Sequence, residues 1–239
     1  MAKTVKKEEV SAVEGPEEKH TSGYYREEFG RVARFYDFGV GMAFRWVGGE
    51  VVFRCGIVEA VEAYPGDHVL DIACGTGTLL QLLAACAGPE GRAVGVDMSG
   101  HMLEVARRKA AAAVAAGEPL APLEYIQTNA EDLPFPDASF DRVTASLAIH
   151  EMNREGRMNA LSQMHRVLKK GGRAVVADMR SPDTPLTRLG MKVVRLVETD
   201  TLDDMWFDGL YREMGRAGFR ERRRHIAGKG FFEMIVAEK

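Results

Sequence analysis

The chain has 239 residues, 46% of them hydrophobic, and 32 Lys and Arg against 35 Asp and Glu give a formal net charge of −3. That length predicts one domain with a single large core, and the balanced charge supplies no general field drawing the whole chain to nucleic acid or anionic lipid. Three cysteines, Cys55, Cys74 and Cys86, form no CxxC pair and are odd in number, which argues against a disulfide frame or zinc site and predicts a reducing, cytoplasmic setting.

The start, MAKTVKKEEVSAVEGPEEKH, lacks the apolar core of a signal peptide and has few large apolar side chains to offset its ordering entropy. Residues 1–22 are therefore expected to be a flexible tail ahead of one domain over 23–239. No stretch has the length and apolarity of a membrane span. Residues 24–37 and 48–63 predict helices within an N-terminal lid spanning 23–65. The second should turn Val51, Val52, Cys55, Val58 and Val61 toward a core and stop at Pro65-Gly66.

From residue 66 the period changes. Short β-rich runs at 67–72, 92–97, 122–128, 140–147 and 173–178 alternate with helical runs at 76–87, 99–116 and 154–170. The helix over 154–170 carries Leu161, Met164, Val167 and Leu168 as its apolar stripe, with Gly171 as a left-handed cap. After a helix at about 203–217, the runs GFRERRRHI and GFFEMIVAE flank Gly228 and Gly230 and predict an antiparallel hairpin. The fold class that follows is α/β: a doubly wound, mostly parallel seven-stranded Rossmann-like sheet ending in an antiparallel strand. Its parts would be a cofactor-binding core over 66–180, an acceptor-side lid over 181–200, and a C-terminal helix and hairpin over 201–239.

The stretch VLDIACGTGTLL (69–80) runs from the first strand through a glycine turn into the first crossover helix, at the sheet edge where such folds bind ligands. A phosphate-cradling P-loop needs GxxxxGK[ST], and GTGTLLQL has no lysine to neutralise phosphate. A dinucleotide fingerprint shares Gly75 and Gly77 but puts a third glycine where this chain has Leu80. Asp97, at the end of the second strand, is placed to accept both hydroxyls of a ribose. A nucleoside without pyrophosphate, whose amino-acid carboxylate could meet a helix N-terminus, has the parts of S-adenosylmethionine.

These motifs resemble those of class I S-adenosylmethionine-dependent methyltransferases: VLDIACGTGTLL the first motif, GVDMS (95–99) the acidic ribose motif, NAEDLPFPDASFDRVTASLAIHEM (129–152) the run through the fourth strand, and MHRVLKKGGRAVVADM (164–179) the helix and strand after it. The ubiquinone/menaquinone C-methyltransferase-like (methyltransferase type 11) group is similar through ARFYDFG (33–39), NAEDLPFPDASFD and GRAGF (215–219). Two segments depart from that group, the shorter SPDTPLTRLGMKVVRLVETDT and the SLAIHEM run. The resemblance implies methyl transfer from S-adenosylmethionine, giving S-adenosylhomocysteine, to a small-molecule acceptor that is quinone-like or lipid-like. It implies Asp71, Ala73, Gly75 and Gly77 around the methionine part, Asp97 and Met98 at ribose and adenine, Asn129 and Ala130 at the adenine edge, Ser146 and Leu147 near the sulfonium, and Tyr36 over the methionine end. No metal is implied.

A carbon or hydroxyl acceptor also needs a proton removed, and His150, with Glu151 beside it just past the fourth strand, is the candidate base. The alternative is that His150 only lines the pocket or holds a loop. Residues 186–197 put Leu186, Leu189, Val193, Leu196 and Val197 on one helical face and Arg188, Lys192 and Arg195 on another. Such a helix suits a membrane surface, although a lid laying its apolar face over the active site is the favoured reading. RERRRH (220–225) is read as a solvated strand edge, and no (D/N)PP(Y/F) motif supports a nucleic-acid substrate. A nicotinamide-dependent oxidoreductase would use the same kind of sheet, but no tyrosine has lysine four residues on. A non-catalytic S-adenosylmethionine-binding protein would share every feature of the cofactor half.

Overall fold

The computed structural model describes residues 44–45, 48–194, 205–206 and 209–239. The expected tail, the helix over 24–37 and Tyr36 lie outside the described residues. Helix α1 (Glu50–Val61) leads into β1 (His68–Ile72), α2 (Thr78–Ala87), β2 (Arg92–Asp97), α3 (Gly100–Ala115), β3 (Leu123–Gln127) and β4 (Phe140–Ser146). A short 3-10 turn (Ile149–Glu151) precedes α4 (Arg154–Val167), β5 (Leu168–Met179), α5 (Pro185–Val194), α6 (Leu210–Arg216), β6 (Arg220–Ala227) and β7 (Phe232–Glu238).

The seven strands pair in the order β3-β2-β1-β4-β5-β7-β6, with β1 to β5 parallel and β7 antiparallel to both neighbours. The winding direction reverses between β1 and β4, so a crevice opens at their carboxyl ends, where open α/β sheets bind ligands. Alternation along each strand feeds two cores. Leu70, Ile72, Val94 and Val96 join α4 residues such as Leu161 and Met164 on one face, while Val69, Ala93 and Ala177 join α1 and α2 on the other.

Helix α1 buries only part of the face its valines suggest: Val61 is buried and Val58 packs against the core. Val51 and Val52 are 74% and 70% exposed and Cys55 is exposed; Phe53, Ile57, Ala60 and Val61 carry the buried face. The aromatic side chain decides the rotation, because Phe53 enters a cluster with Phe44 and Phe232 whose ring centroids lie 4.9–5.2 Å apart. Burial of a side chain such as Phe53 or Ile57 contributes about 1.5–3 kcal/mol, so Phe53→Ala or Ile57→Ala should weaken this docking.

Helix α4 ends at Val167, capped at its start by the Asn153 side chain accepting from Gly156 N–H at 2.8 Å. Lys169 lies in β5, where its Nζ donates to the Asp141 carboxylate at 2.8–2.9 Å. Gly171 has the expected positive φ of 75°, but it lies inside β5, where the pairing register with β4 shifts, rather than at a helix cap. The C-terminal helix is shorter than expected, Leu210–Arg216 among the described residues. The hairpin forms as predicted, with Arg223, Arg224 and His225 exposed on the edge strand.

Candidate active site

Three residues of the turn after β1, and one just after β4, take unusual conformations. Ala73, Gly75 and Gly77 have φ of 52°, 53° and 75°, and Leu147, the matching residue after β4, has φ of 54°. Positive φ at alanine and leucine costs energy, and such strain concentrates at ligand edges. The two glycines are needed for different reasons. A Cβ on Gly75 would meet nothing within 4 Å and would stand in open space, whereas one on Gly77 would come within 2.8 Å of the Tyr125 hydroxyl and 3.0 Å of Ala106. Leu80 occupies the position where a dinucleotide fold has its third glycine; the small residue is supplied instead by the sheet, since a Cβ on Gly95 would approach Leu80 to 2.8 Å and Cys74 Sγ to 2.7 Å.

Above this turn lies a cleft of about 1080 Å³, its open mouth included. Ala73, Gly75, Asp97, Met98, Ala130, Ser146, Leu147 and Glu151 all line it, so the structure brings together eight of the residues singled out from sequence. Asp97 fastens two sides of the cleft: its Oδ2 accepts from Gly75 N–H and its Oδ1 from Ser99 N–H, each at 2.8 Å. Burial raises its pKa above the ordinary carboxylate value, against the lowering effect of those two bonds.

Four predicted residues stand behind the lining. Asp71 is buried under the turn and accepts from Thr144 Oγ1 at 2.7 Å; burial pushes its pKa up to about 7. Gly77 packs against Tyr125 and Ala106 and caps α2. Asn129 Oδ1 accepts from Glu131 N–H at 3.1 Å, closing a local turn, and the neighbours Thr128 and Ala130 face the cleft instead. His150 is only 2% exposed and lies with Nδ1 2.6 Å from Asp178 Oδ1.

Arg54 is a charged cleft residue that the sequence did not signal. It reaches the lining from α1, with Nε donating to Glu50 at 2.7 Å, and brings the one guanidinium among the described lining residues. An arginine on an amphipathic helix carries no motif, and only the docking of α1 beside the β1 turn gives it a role. Buried Arg157 was likewise unmarked. It pairs with Glu213 of α6 at 3.1–3.2 Å and donates to Met152 O at 2.8 Å, holding the segment that supplies Glu151 and Met152 to the cleft.

These parts suit an adenosyl amino acid. The cleft offers a carboxylate at the end of β2, apolar surface from Met98, Met102 and Ala130, open space at Gly75, and the Arg54 guanidinium. Among the described residues no group of three or more His, Cys, Asp or Glu is arranged to hold a metal ion, and no helix is long and apolar enough to cross a membrane.

Comparison with known proteins agrees. A family model described as a methyltransferase domain matches residues 69–172. The chain is 41% identical over 184 residues to a demethylmenaquinone methyltransferase of Symbiobacterium thermophilum, covering 74% of this chain and 67% of that one. It is 39% identical over 129 residues to the ubiquinone/menaquinone biosynthesis C-methyltransferase UbiE of Ectopseudomonas mendocina, covering 54% and 48% of the two chains, so the match spans about half of that relative. Among solved structures, a SAM dependent methyltransferase from Aquifex aeolicus superposes with a TM-score of 0.59 at 20% identity, covering 77% of this chain and 88% of that one. The [4+2]-cyclase SpnF superposes at 0.71 and 16% identity over 92% and 97%. At those identities the structures speak to the fold alone; the sequence relatives carry the assignment. The chain belongs to the class I S-adenosylmethionine-dependent methyltransferases.

Proposed function

We propose that this chain transfers the methyl group of S-adenosylmethionine to a ring carbon of a quinol-type acceptor. The observation that carries the reading is the 41% identity over 184 residues to a demethylmenaquinone methyltransferase. Chemistry fixes the redox state of the acceptor. The sulfonium methyl is an electrophile, so the ring must be the electron-rich quinol rather than the quinone. The new C–C bond forms as the S–C bond breaks, the ring carbon then loses its proton as the ring hydroxyl regains one, and the sulfonium becomes the neutral thioether of S-adenosylhomocysteine.

The placement of the cleft residues supports a role for each toward the cofactor. Asp97 accepts the ribose hydroxyls, Met98, Met102 and Ala130 surround the adenine, and Arg54 receives the methionine carboxylate. Ser146 and Leu147, at the end of β4, border the reacting methyl group. The rate gain comes chiefly from holding acceptor and methyl in line and excluding water. Glu151, a carboxylate that lines the cleft besides Asp97, is the group placed to draw the quinol hydroxyl proton. His150 is assigned a positioning role, because it sits off the cleft against Asp178.

The test is incubation of the purified chain with S-adenosylmethionine and a short-chain demethylmenaquinol under reducing conditions. A product heavier by one methylene that still oxidises to a quinone supports carbon methylation. A product of the same mass that no longer oxidises is an ether and moves the reaction to oxygen. No product with quinols while another small acceptor is methylated rejects the acceptor class and keeps the donor.

A further inference from the structure

Helix α5 turns its leucines outward. Thr187 and Met191 are buried, while Leu186 and Leu189 are 59% and 65% exposed, so the described leucines of the face expected to close over the cleft point away from the core. None of residues 181–194 lines the cleft. Helix α5 is seated on the β6–β7 turn: a Cβ on Gly190 would strike the Phe231 ring at 2.5 Å, and Gly230 lies 3.4 Å by the same measure from the Thr187 methyl. That contact, rather than the leucines, decides how α5 is rotated.

We propose that the exposed face of α5, with the adjoining β6–β7 turn, docks on an anionic lipid bilayer. At 3.6 residues per turn, Leu189 and Leu186 lie side by side, and Lys192 and Arg188 follow next around the same exposed surface. That division into an apolar strip and a cationic strip is the pattern of a helix lying in a membrane interface. The turn adds exposed Ile226 and Lys229. The carboxylates on these segments are already matched, Asp183 by Arg180 at 2.6 Å and Glu233 by Arg224, so Arg188 and Lys192 make the face positive. A second copy of the chain fits less well, since two leucines and one isoleucine fall far short of the about 800 Å² per partner that a stable interface buries.

The position gives the contact a use. Helix α5 follows the carboxyl end of β5, and the β6–β7 turn lies at that same sheet edge, where Ala73 and Leu147 border the cleft. A bilayer held there would present a lipophilic acceptor to the mouth of the cleft. Only this delivery step rests on the quinol reading; the lipid contact stands on the surface itself.

Co-sedimentation of the full chain with vesicles tests it without donor or acceptor. Binding to phosphatidylglycerol-containing vesicles should exceed binding to pure phosphatidylcholine vesicles and should fall as salt is raised. Leu186→Ser with Leu189→Ser should weaken it about a hundredfold or more. Arg188→Gln with Lys192→Gln should weaken it about thirtyfold. Both double variants should keep the thermal midpoint and the affinity for S-adenosylhomocysteine. If the leucine pair proves needed for folding, the charge pair alone decides the matter. Absence of vesicle binding at low salt, equal binding to neutral vesicles, or unchanged binding in the folded variants would each overturn the proposal, as would a dimer of the normal chain that the leucine variant abolishes. Failure to methylate quinols with vesicle binding intact would count against the proposed reaction and leave the docking face standing.

Discussion

Asp178 holds His150 by three contacts at once: its Oδ2 accepts from the backbone N–H groups of Ile149 and His150 at 2.8 and 3.2 Å, and its Oδ1 meets the imidazole Nδ1 at 2.6 Å. Both side chains are buried, so the pair anchors the 3-10 turn between Leu147 and Glu151 to the end of β5. His150→Ala should strand part of a buried carboxylate and cost about 1–3 kcal/mol of stability. Thermal melts, titration with S-adenosylhomocysteine and turnover should decline together. A hundredfold loss of turnover at unchanged stability and affinity would make His150 a general base after all.

The two glycines of the β1 turn should separate in the same measurements. Gly75→Val puts a branched side chain into the open space of the cleft, so the protein should fold and bind S-adenosylhomocysteine at least about tenfold more weakly, since even partial exclusion of the ligand exceeds 1.4 kcal/mol. Gly77→Ala collides with Tyr125 and Ala106 instead, and should lower the thermal midpoint first. The reverse ranking would show that the cofactor does not pass Gly75.

Most of the sheet was legible in the sequence because each buried strand carries its own β-rich run and each crossover helix its own apolar period. The eight cleft residues end or follow strands, and a turn at a strand's carboxyl end faces the crevice whatever packs around it, so the motifs of the family resemblance could be placed there residue by residue. What escaped was rotation and side-chain direction. The α1 valines and the α5 leucines have helical spacing, yet Phe53 and Gly190 decide which face is buried, through partners in β7 and the β6–β7 turn about forty to nearly two hundred residues away. Asp71 near the end of β1, and Asn129 and His150 in the turns after β3 and β4, point behind the cleft, toward Thr144, Glu131 and Asp178. No local pattern encodes those choices, and none encodes Arg54.

Arg54 and Asp97 should divide the cofactor between them. Arg54→Ala should weaken S-adenosylhomocysteine by about tenfold to a hundredfold, as a charged hydrogen bond of about 1.5–3 kcal/mol is lost, and leave 5′-methylthioadenosine, which lacks the amino acid, unaffected. Asp97→Asn should weaken both ligands, because both keep the ribose. Calorimetric titration of the two ligands against the two variants checks the assignment. Equal losses for both ligands in Arg54→Ala would remove the carboxylate role.

Asp71 supplies a pH dependence whose sign can be worked out. Burial raises its pKa from the ordinary value near 4 to about 7, and Thr144 only partly offsets the rise. Between those values the folded protein keeps a proton that the unfolded chain has released, so the contribution of Asp71 to stability is fully present below about pH 4, falls as pH rises toward 7 and is level above it. Asp71→Asn removes that titration while retaining an oxygen that accepts from Thr144. The variant's thermal midpoint should therefore gain on the normal protein's as pH is raised from 4 to 7, and the gap should stay constant beyond. The cationic sulfonium of S-adenosylmethionine, bound above the turn, favours the ionised carboxylate. Affinity for S-adenosylmethionine should therefore strengthen through pH 7 more than affinity for the uncharged thioether of S-adenosylhomocysteine, and Asp71→Asn should erase that difference. A midpoint gap that does not change with pH would show that Asp71 is already ionised in the folded chain, and the donor's charge would then need another partner.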